Sequence, residues 1–557
     1  MPHPVHRHPS TDFYDLRTRP WVPVISGDRT QSVGLCELFL RAHEFTALGV
    51  ALPPAASGLH RILCAMAARI TGLDTATGGD EWQERRYELL DRAEGFAPGC
   101  VRAYFNQHAD GLRLHDPARP FLQDPRLAEE CPSSSGVNKL VLARPAGNNQ
   151  VFFGHFTDDE QVALPSGEAV LHLIAQLYYG PSGQCTPRTV DGERFGNTMA
   201  GPLRRVLSTH PVGPTLFDSL LMGIPEPAAW PSPSPDCLPD GCPWERETLP
   251  APRVLPLPPA GPLSLLTEQY QHAVLLKPGP TGNEVVDATI TWALRVNRPA
   301  VRDPYLIWDT LKDGTPRPRD AKAERALWRD LDALVLMKRA DGGRRPHIFD
   351  GLSGWLPEPV AERLRVTAFG FDQDGQTRDR TYFSAITPPL FSLLTAPGSE
   401  QDNALALGVR EGREAAEKAA WHLSTALRSA WRSYTTPFAD EARPDTGGGR
   451  ASGTAPASNA GAGGGGSKKS KHPGPWPEAA LTAYWPAAEE RFWDLLHSAD
   501  FSDSLRVFGT LALEIYDRTT APVASSPRGA KAREHARGLV RSLLEKRRDT
   551  AHPTGQN

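Results

Sequence analysis

From residue 404 onward the chain repeats one pattern. Ala416, Ala420, Leu423, Leu427, Trp431 and Tyr434 step by three or four, the spacing that gathers apolar side chains on one face of an α-helix. Residues 479–497, 505–516 and 530–546 carry the same periodicity. Four amphipathic helices in series, with little strand-forming sequence between them, can bury their stripes against one another, which predicts an antiparallel four-helix bundle. Between the first two helices, 444–475 is rich in Gly, Ser and Ala and ends near Lys468, Lys469 and Lys471. That composition reads as a flexible linker.

Upstream the pattern is mixed. Trp21 to Val24 followed by Gly27-Asp28 reads as a strand entering a hairpin. Helical spacing covers 32–45, 58–70, 81–94 and 166–180, and 58–70 is apolar nearly all round, as a buried helix is. Strands are expected at 273–276, 288–296 and 366–370. Between them, 225–262 holds thirteen prolines in thirty-eight residues. Proline at that density blocks helix and sheet interiors, so an irregular connection is expected. The fold class is therefore α+β: a large mixed α/β N-terminal domain over 1–395, then the bundle over 396–557.

At 557 residues the chain exceeds what one core holds. It has no run of eighteen apolar residues and no apolar N-terminal leader, so no membrane partner and a cytoplasmic location are expected. A net charge of −4 argues against a protein that grips a duplex unaided. The seven cysteines are scattered without a C-x-x-C pair, so neither a disulfide framework nor a zinc site follows. Phosphate-binding, dinucleotide and metalloprotease motifs are absent. Gly351-Leu-Ser-Gly354 is one residue too short for a nucleophile elbow, and His3, His6 and His8 read as a frayed terminus. Asp158-Asp159-Glu160, ahead of a predicted helix, reads as a capping cluster. Asp372, Asp374 and Asp379 read as polar turn residues, with a metal-dependent nuclease site as the alternative. No cofactor and no catalytic residue is expected otherwise.

The segment 138–155 stands apart. Lys139 and Arg144 precede Gly147-Asn148-Asn149, then Phe152-Phe153 and His155. Cations neutralise phosphates, amides read base edges and aromatics stack on unpaired bases; a surface turn leading into a core strand is the alternative. Together with Pro20-Trp-Val-Pro-Val24, Arg119-Pro-Phe-Leu-Gln123, the Asp158-Asp159 pair, 169–183 and 198–222, this segment makes the chain resemble the CasA family. Those proteins are the large subunits of type I-E CRISPR surveillance complexes (Cascade).

The resemblance implies a non-enzymatic DNA-recognition subunit. Its partners would be the other Cascade subunits, the guide CRISPR RNA, target double-stranded DNA and a recruited helicase-nuclease. It would sense the protospacer-adjacent motif (PAM), help open the duplex and seed the R-loop, while base pairing reads the remaining sequence. Carried over by residue, the guide-RNA and subunit-contact loop falls on Lys139, Asn148, Asn149, Phe152, Phe153 and His155. The glycine loop at the PAM falls on Gly183, with Gly196 and Gly201 as alternatives. A basic finger falls on Arg295 or Arg298. The wedge glutamine aligns with Gly375, beside Gln373 and Gln376. Outside the resemblance, Arg533, Arg537 and Arg541 recur at four-residue steps, either as DNA phosphate contacts or as a solvated helix face.

Overall fold

The computed structural model describes residues 13–76, 78–144, 160–227, 240–255, 258–296, 301–339, 341–352, 354–374, 378–394, 404–436 and 474–545. It comprises two compact units, 1–400 and 401–557, and mixes helices with small antiparallel sheets.

The first unit is organised around the helix Pro53–Thr71. Prolines occupy its first turn, where their missing N–H is no loss, and Gly72 closes it at φ +69°. Leu59, Ile62, Leu63 and Met66 are wholly buried. At Gly58 a Cβ would lie 2.6 Å from Ile174 and 2.5 Å from Tyr178, so glycine lets this helix pack tightly on the helix Ser166–Tyr179. Around the pair stand three three-stranded sheets. Val22–Ser26 lies between Arg29–Val33 and Ala47–Leu48, and Glu284–Trp292 lies between Leu164–Pro165 and His272–Pro278. In the third, Arg365–Asp374 lies between Leu207–Val212 and Arg378–Ile386. The register of that sheet sets Thr367 opposite His210 and Phe371 opposite Tyr382. A separate hairpin joins Gly183–Val190 to Glu193–Thr198.

Three expectations need correction. The helix expected over 32–45 is confined to Leu35–Leu40, because Ser32 and Val33 pair with Pro23 and Val22. Gly34 marks the switch, since a Cβ there would sit 2.6 Å from the Arg17 carbonyl oxygen. The proline-rich stretch is not merely irregular: Pro243–Glu245 forms a 3₁₀ turn and Pro262 opens the helix Pro262–Thr267. Trp244 is 2% exposed, and Glu245 pairs with Arg69 and accepts from the Tyr104 hydroxyl at 3.0 Å, so part of this stretch belongs to the core. Finally, the helix after Glu160 begins only at Ser166, behind Pro165, and carries Glu168 in its first turn. Glu160 therefore does not cap it, and Asp158 and Asp159 lie outside the described residues.

The second unit contains the helices Ala404–Thr435, Pro475–His497, Ser504–Thr520 and Pro527–Glu545. Ala416, Ala420, Leu423 and Leu427 are buried along the first. Gly408 and Gly412 of that helix admit the Phe501 ring, and Phe501 in turn meets Phe492 at 5.7 Å. Tyr484 donates to the Ala416 carbonyl at 2.9 Å and Tyr516 to that of Arg533 at 2.7 Å. The expected 444–475 linker lies outside the described residues up to 473. Among the described residues no helix is long and apolar enough to cross a membrane.

Candidate nucleic-acid interface

Gly183 opens the hairpin at φ +120°, and nothing among the described residues lies within 4 Å of where its Cβ would be. Only glycine enters that backbone region readily, and the open space lets another molecule approach the main chain. The opposite side of the hairpin is fixed. Arg188 is wholly buried, 2.8 Å from Asp124 and 2.5 Å from Glu130. It also donates to the Trp292 carbonyl at 3.1 Å and lies over that residue's ring at 5.1 Å. A guanidinium removed from water needs this full set of partners. Thr198 Oγ1 donates to the Gln271 carbonyl at 3.2 Å, and Trp292 Nε1 to that of Phe195 at 3.1 Å. His272, which burial pushes down to about 4, is neutral near pH 7. Its Nε2–H donates to the Pro181 carbonyl at 3.0 Å, two residues before Gly183.

The rival glycines serve other ends. Gly196 lies on the hairpin, half-buried against Pro187. Gly201 is buried: its N–H bonds the Gly180 carbonyl at 2.9 Å, and a Cβ would stand 2.5 Å from the Tyr178 carbonyl oxygen. Its missing side chain serves internal packing, which removes it as a groove-facing position. Arg295 does join the hairpin. Its guanidinium lies 4.3 Å from the Phe195 ring centroid and donates to the Asn197 carbonyl at 3.1 Å. Arg298 lies outside the described residues.

The 365–386 hairpin is tied to the same region through Arg204. That side chain, 5% exposed, donates to Gln373 Oε1 at 3.2 Å and to the Tyr179 carbonyl at 2.6 Å, and lies over Phe371 at 4.4 Å. Gly375 and Gln376 lie outside the described residues. Asp372 is 6% exposed and accepts from the Ala323 N–H at 3.0 Å, with Arg380 4.0 Å away. It anchors the hairpin against the preceding loop. Among the described residues no group of three His, Cys, Asp or Glu side chains is placed to hold a metal ion; the side chains of Asp374 and Asp379 lie outside the description.

Of the expected guide-contact loop, Asn148, Asn149, Phe152, Phe153 and His155 lie outside the described residues, and Lys139 is half-buried in the short helix Val137–Leu140. The flanks of the segment are bound together. Asn138 Nδ2 donates to the Glu160 carbonyl at 2.7 Å, and Arg144 Nη1 to that of Val162 at 2.7 Å. Arg144 is 9% exposed, so it clamps the loop stem instead of meeting phosphate. In the second unit, Arg533 and Arg537 both reach Asp517 at 2.8 Å, while Arg541 is exposed. Their charge is thus partly neutralised by a residue on the preceding helix, which spacing within their own helix does not reveal.

This fold is found in CRISPR-associated proteins. A chain of a solved CRISPR RNA-guided surveillance complex superposes with a TM-score of 0.79 at 38% identity, covering 95% of this chain and 99% of that one. The crystal structure of Thermus thermophilus CasA (TM-score 0.69, 19% identity, 96% and 99% covered) shares the fold. So does that of Thermobifida fusca Cse1 (0.69, 18%, 96% and 98%). A CRISPR-associated protein CasA/Cse1 of Thermus thermophilus is 31% identical over 217 residues, a match covering 39% of this chain and 40% of that relative's length. The family model for CRISPR-associated protein Cse1 matches residues 15–524, and the chain belongs to that family.

Proposed function

We propose that this chain is the DNA-recognition subunit of an RNA-guided type I-E CRISPR surveillance complex, working in the cytoplasm without catalysis of its own. Its partners are the sibling subunits, the guide RNA, target duplex DNA and a helicase-nuclease that docks on the assembled complex. The Gly183–Thr198 hairpin meets the PAM: Gly183 permits close approach of the backbone and Arg295 supplies the cation. The 365–386 hairpin, with Gln373 beside its turn, then enters the duplex next to the PAM and favours the first guide–target pairs of the R-loop. The mixed domain carries these elements, and the C-terminal helices act as a bundle whose arginine face meets phosphates of the opened DNA.

The observation that carries this reading is an exposed, positive-φ glycine on a hairpin whose opposite side is locked by buried ion pairs, with Arg295 held across that hairpin. The test uses a guide-loaded complex lacking this chain. Its affinity for target duplexes with and without a functional PAM is measured before and after adding the protein. A PAM-dependent gain on addition is expected; equal gain for both duplexes would refute PAM sensing.

A further inference from the structure

The hairpin carries two exposed amides side by side. Gln184 and Asn197 are cross-strand partners, and both are exposed; directly opposed residues project to the same face. Gly183 precedes Gln184 with open space where its Cβ would be, so the backbone beside that amide is bare, whereas Gly196, beside Asn197, is half-buried against Pro187. The two differ in one respect. Arg295 Nη1, besides reaching the Asn197 carbonyl, lies 3.3 Å from Asn197 Oδ1, and its guanidinium rests on Phe195. A guanidinium only donates, so Oδ1 is the amide end that faces it. Asn197 is exposed, and its Nδ2 has no hydrogen-bond partner among the described residues.

Resting on the reading of this hairpin as the PAM-sensing edge, we infer that Asn197 is a base-edge reader: its Nδ2 donates to an acceptor on one base pair of the recognised duplex, and Arg295 fixes the sense of the amide. Every base pair presents acceptors at its groove edges. Amino donors appear only at guanine in the minor groove and at adenine and cytosine in the major groove. Such a donor therefore favours acceptor-only edges and disfavours a pair whose amino group it meets. Asn197→Asp exchanges that donor for an acceptor at nearly constant volume and keeps a partner for Arg295.

The experiment measures binding of the guide-loaded complex to a duplex library randomised across the PAM, with wild-type, Asn197→Asp, Asn197→Ala and Gly183→Val chains. Asn197→Asp is expected to shift preference at a single position, by about tenfold, toward base pairs bearing an amino group there. Asn197→Ala flattens the preference at that position only. A uniform loss of affinity from the added negative charge does not move these ratios. Should Asn197→Asp and Asn197→Ala keep the wild-type preference at every position while Gly183→Val loses PAM dependence, the role of Asn197 is wrong and the hairpin reading stands. Should the wild-type chain itself confer no sequence preference, the hairpin reading fails and the inference with it.

Discussion

Acid should destabilise the first unit through a pair of buried imidazoles. His60, on the helix Pro53–Thr71, stacks on His210 of the strand Leu207–Val212 with ring centroids 4.6 Å apart. Both rings are largely buried, at 7% and 0% exposure. Burial, then the neighbouring Arg61 charge, pushes His60 from 6.5 down to about 3; burial drives His210 well below its usual value as well. Because the folded value is lowered, the native state keeps the ring neutral where the unfolded chain accepts a proton. Stability is therefore complete above pH 6.5 and falls as the pH drops toward 3. For His60 alone, moving from pH 7.5 to pH 5 removes about 2 kcal/mol, at 1.36 kcal/mol per unit. That is a sizeable part of a typical total of about 5–15 kcal/mol. Urea unfolding of the full chain, followed by tryptophan fluorescence at pH 7.5, 6 and 5, measures the loss in the first unit's transition. His60→Phe keeps an aromatic partner for the stack and removes the titrating group. Its stability should decline less steeply than wild type by that same amount. Parallel curves for the two proteins between pH 7.5 and 5 would refute the reasoning.

Arg188→Met takes the cation from Glu130 and one of two from Asp124, which Arg126 still holds at 2.8 Å, and should cost about 3 kcal/mol, the low end for a broken buried pair, read as a lowered thermal midpoint. Arg204→Ala removes one hydrogen-bond partner of Gln373; PAM-dependent binding should persist while duplex opening, followed with 2-aminopurine beside the PAM, slows several-fold. Reversing Arg533, Arg537 and Arg541 to Glu should weaken DNA binding by the assembled complex and reduce the slope of log affinity against log salt by at most about 3, roughly one for each lost phosphate contact. An unchanged slope would refute phosphate contact by this face and leave Arg533 and Arg537 as partners of Asp517.

Helical segments were legible in the sequence because most of the side chains they bury are apolar, on one face or, at 58–70, nearly all round. The 58–70 pattern lies within Pro53–Thr71, and 166–180 nearly coincides with Ser166–Tyr179. The hairpin that carries the candidate site was not legible as strand, since its inward residues include Thr186 and Arg188, so apolar alternation is missing. Its one local signal is Asp191-Gly192, with φ +51° and +79°, the two-residue turn that a right-twisted hairpin favours. Leu207–Val212 hides for a similar reason. Ser208, Thr209 and His210 are wholly buried yet hydrogen-bonded, and Pro211 is tolerated because this strand lies at a sheet edge. Gly201 misleads in the opposite direction, since sequence alone does not separate a glycine needed for packing from one needed for exposure.

On the proposed reading of the hairpin as a PAM sensor, the buried ions supply the rigidity that specificity needs. An exposed two-stranded ribbon with little apolar surface is marginal by itself, and a loose backbone would blur any hydrogen-bond pattern it offered. Arg188 is held from two sides, by carboxylates on 124–130 and by the Trp292 carbonyl and ring. Breaking such a pair leaves an uncompensated charge, so the ribbon has one favoured seating. Arg295 repeats the device at the rim, where Phe195 and Asn197 hold a cation that stays partly open to solvent. Apolar packing of equal area would stabilise the ribbon as well, but would tolerate small shifts along the strand. Directional ion pairs do not, and register is what a reader of base edges requires.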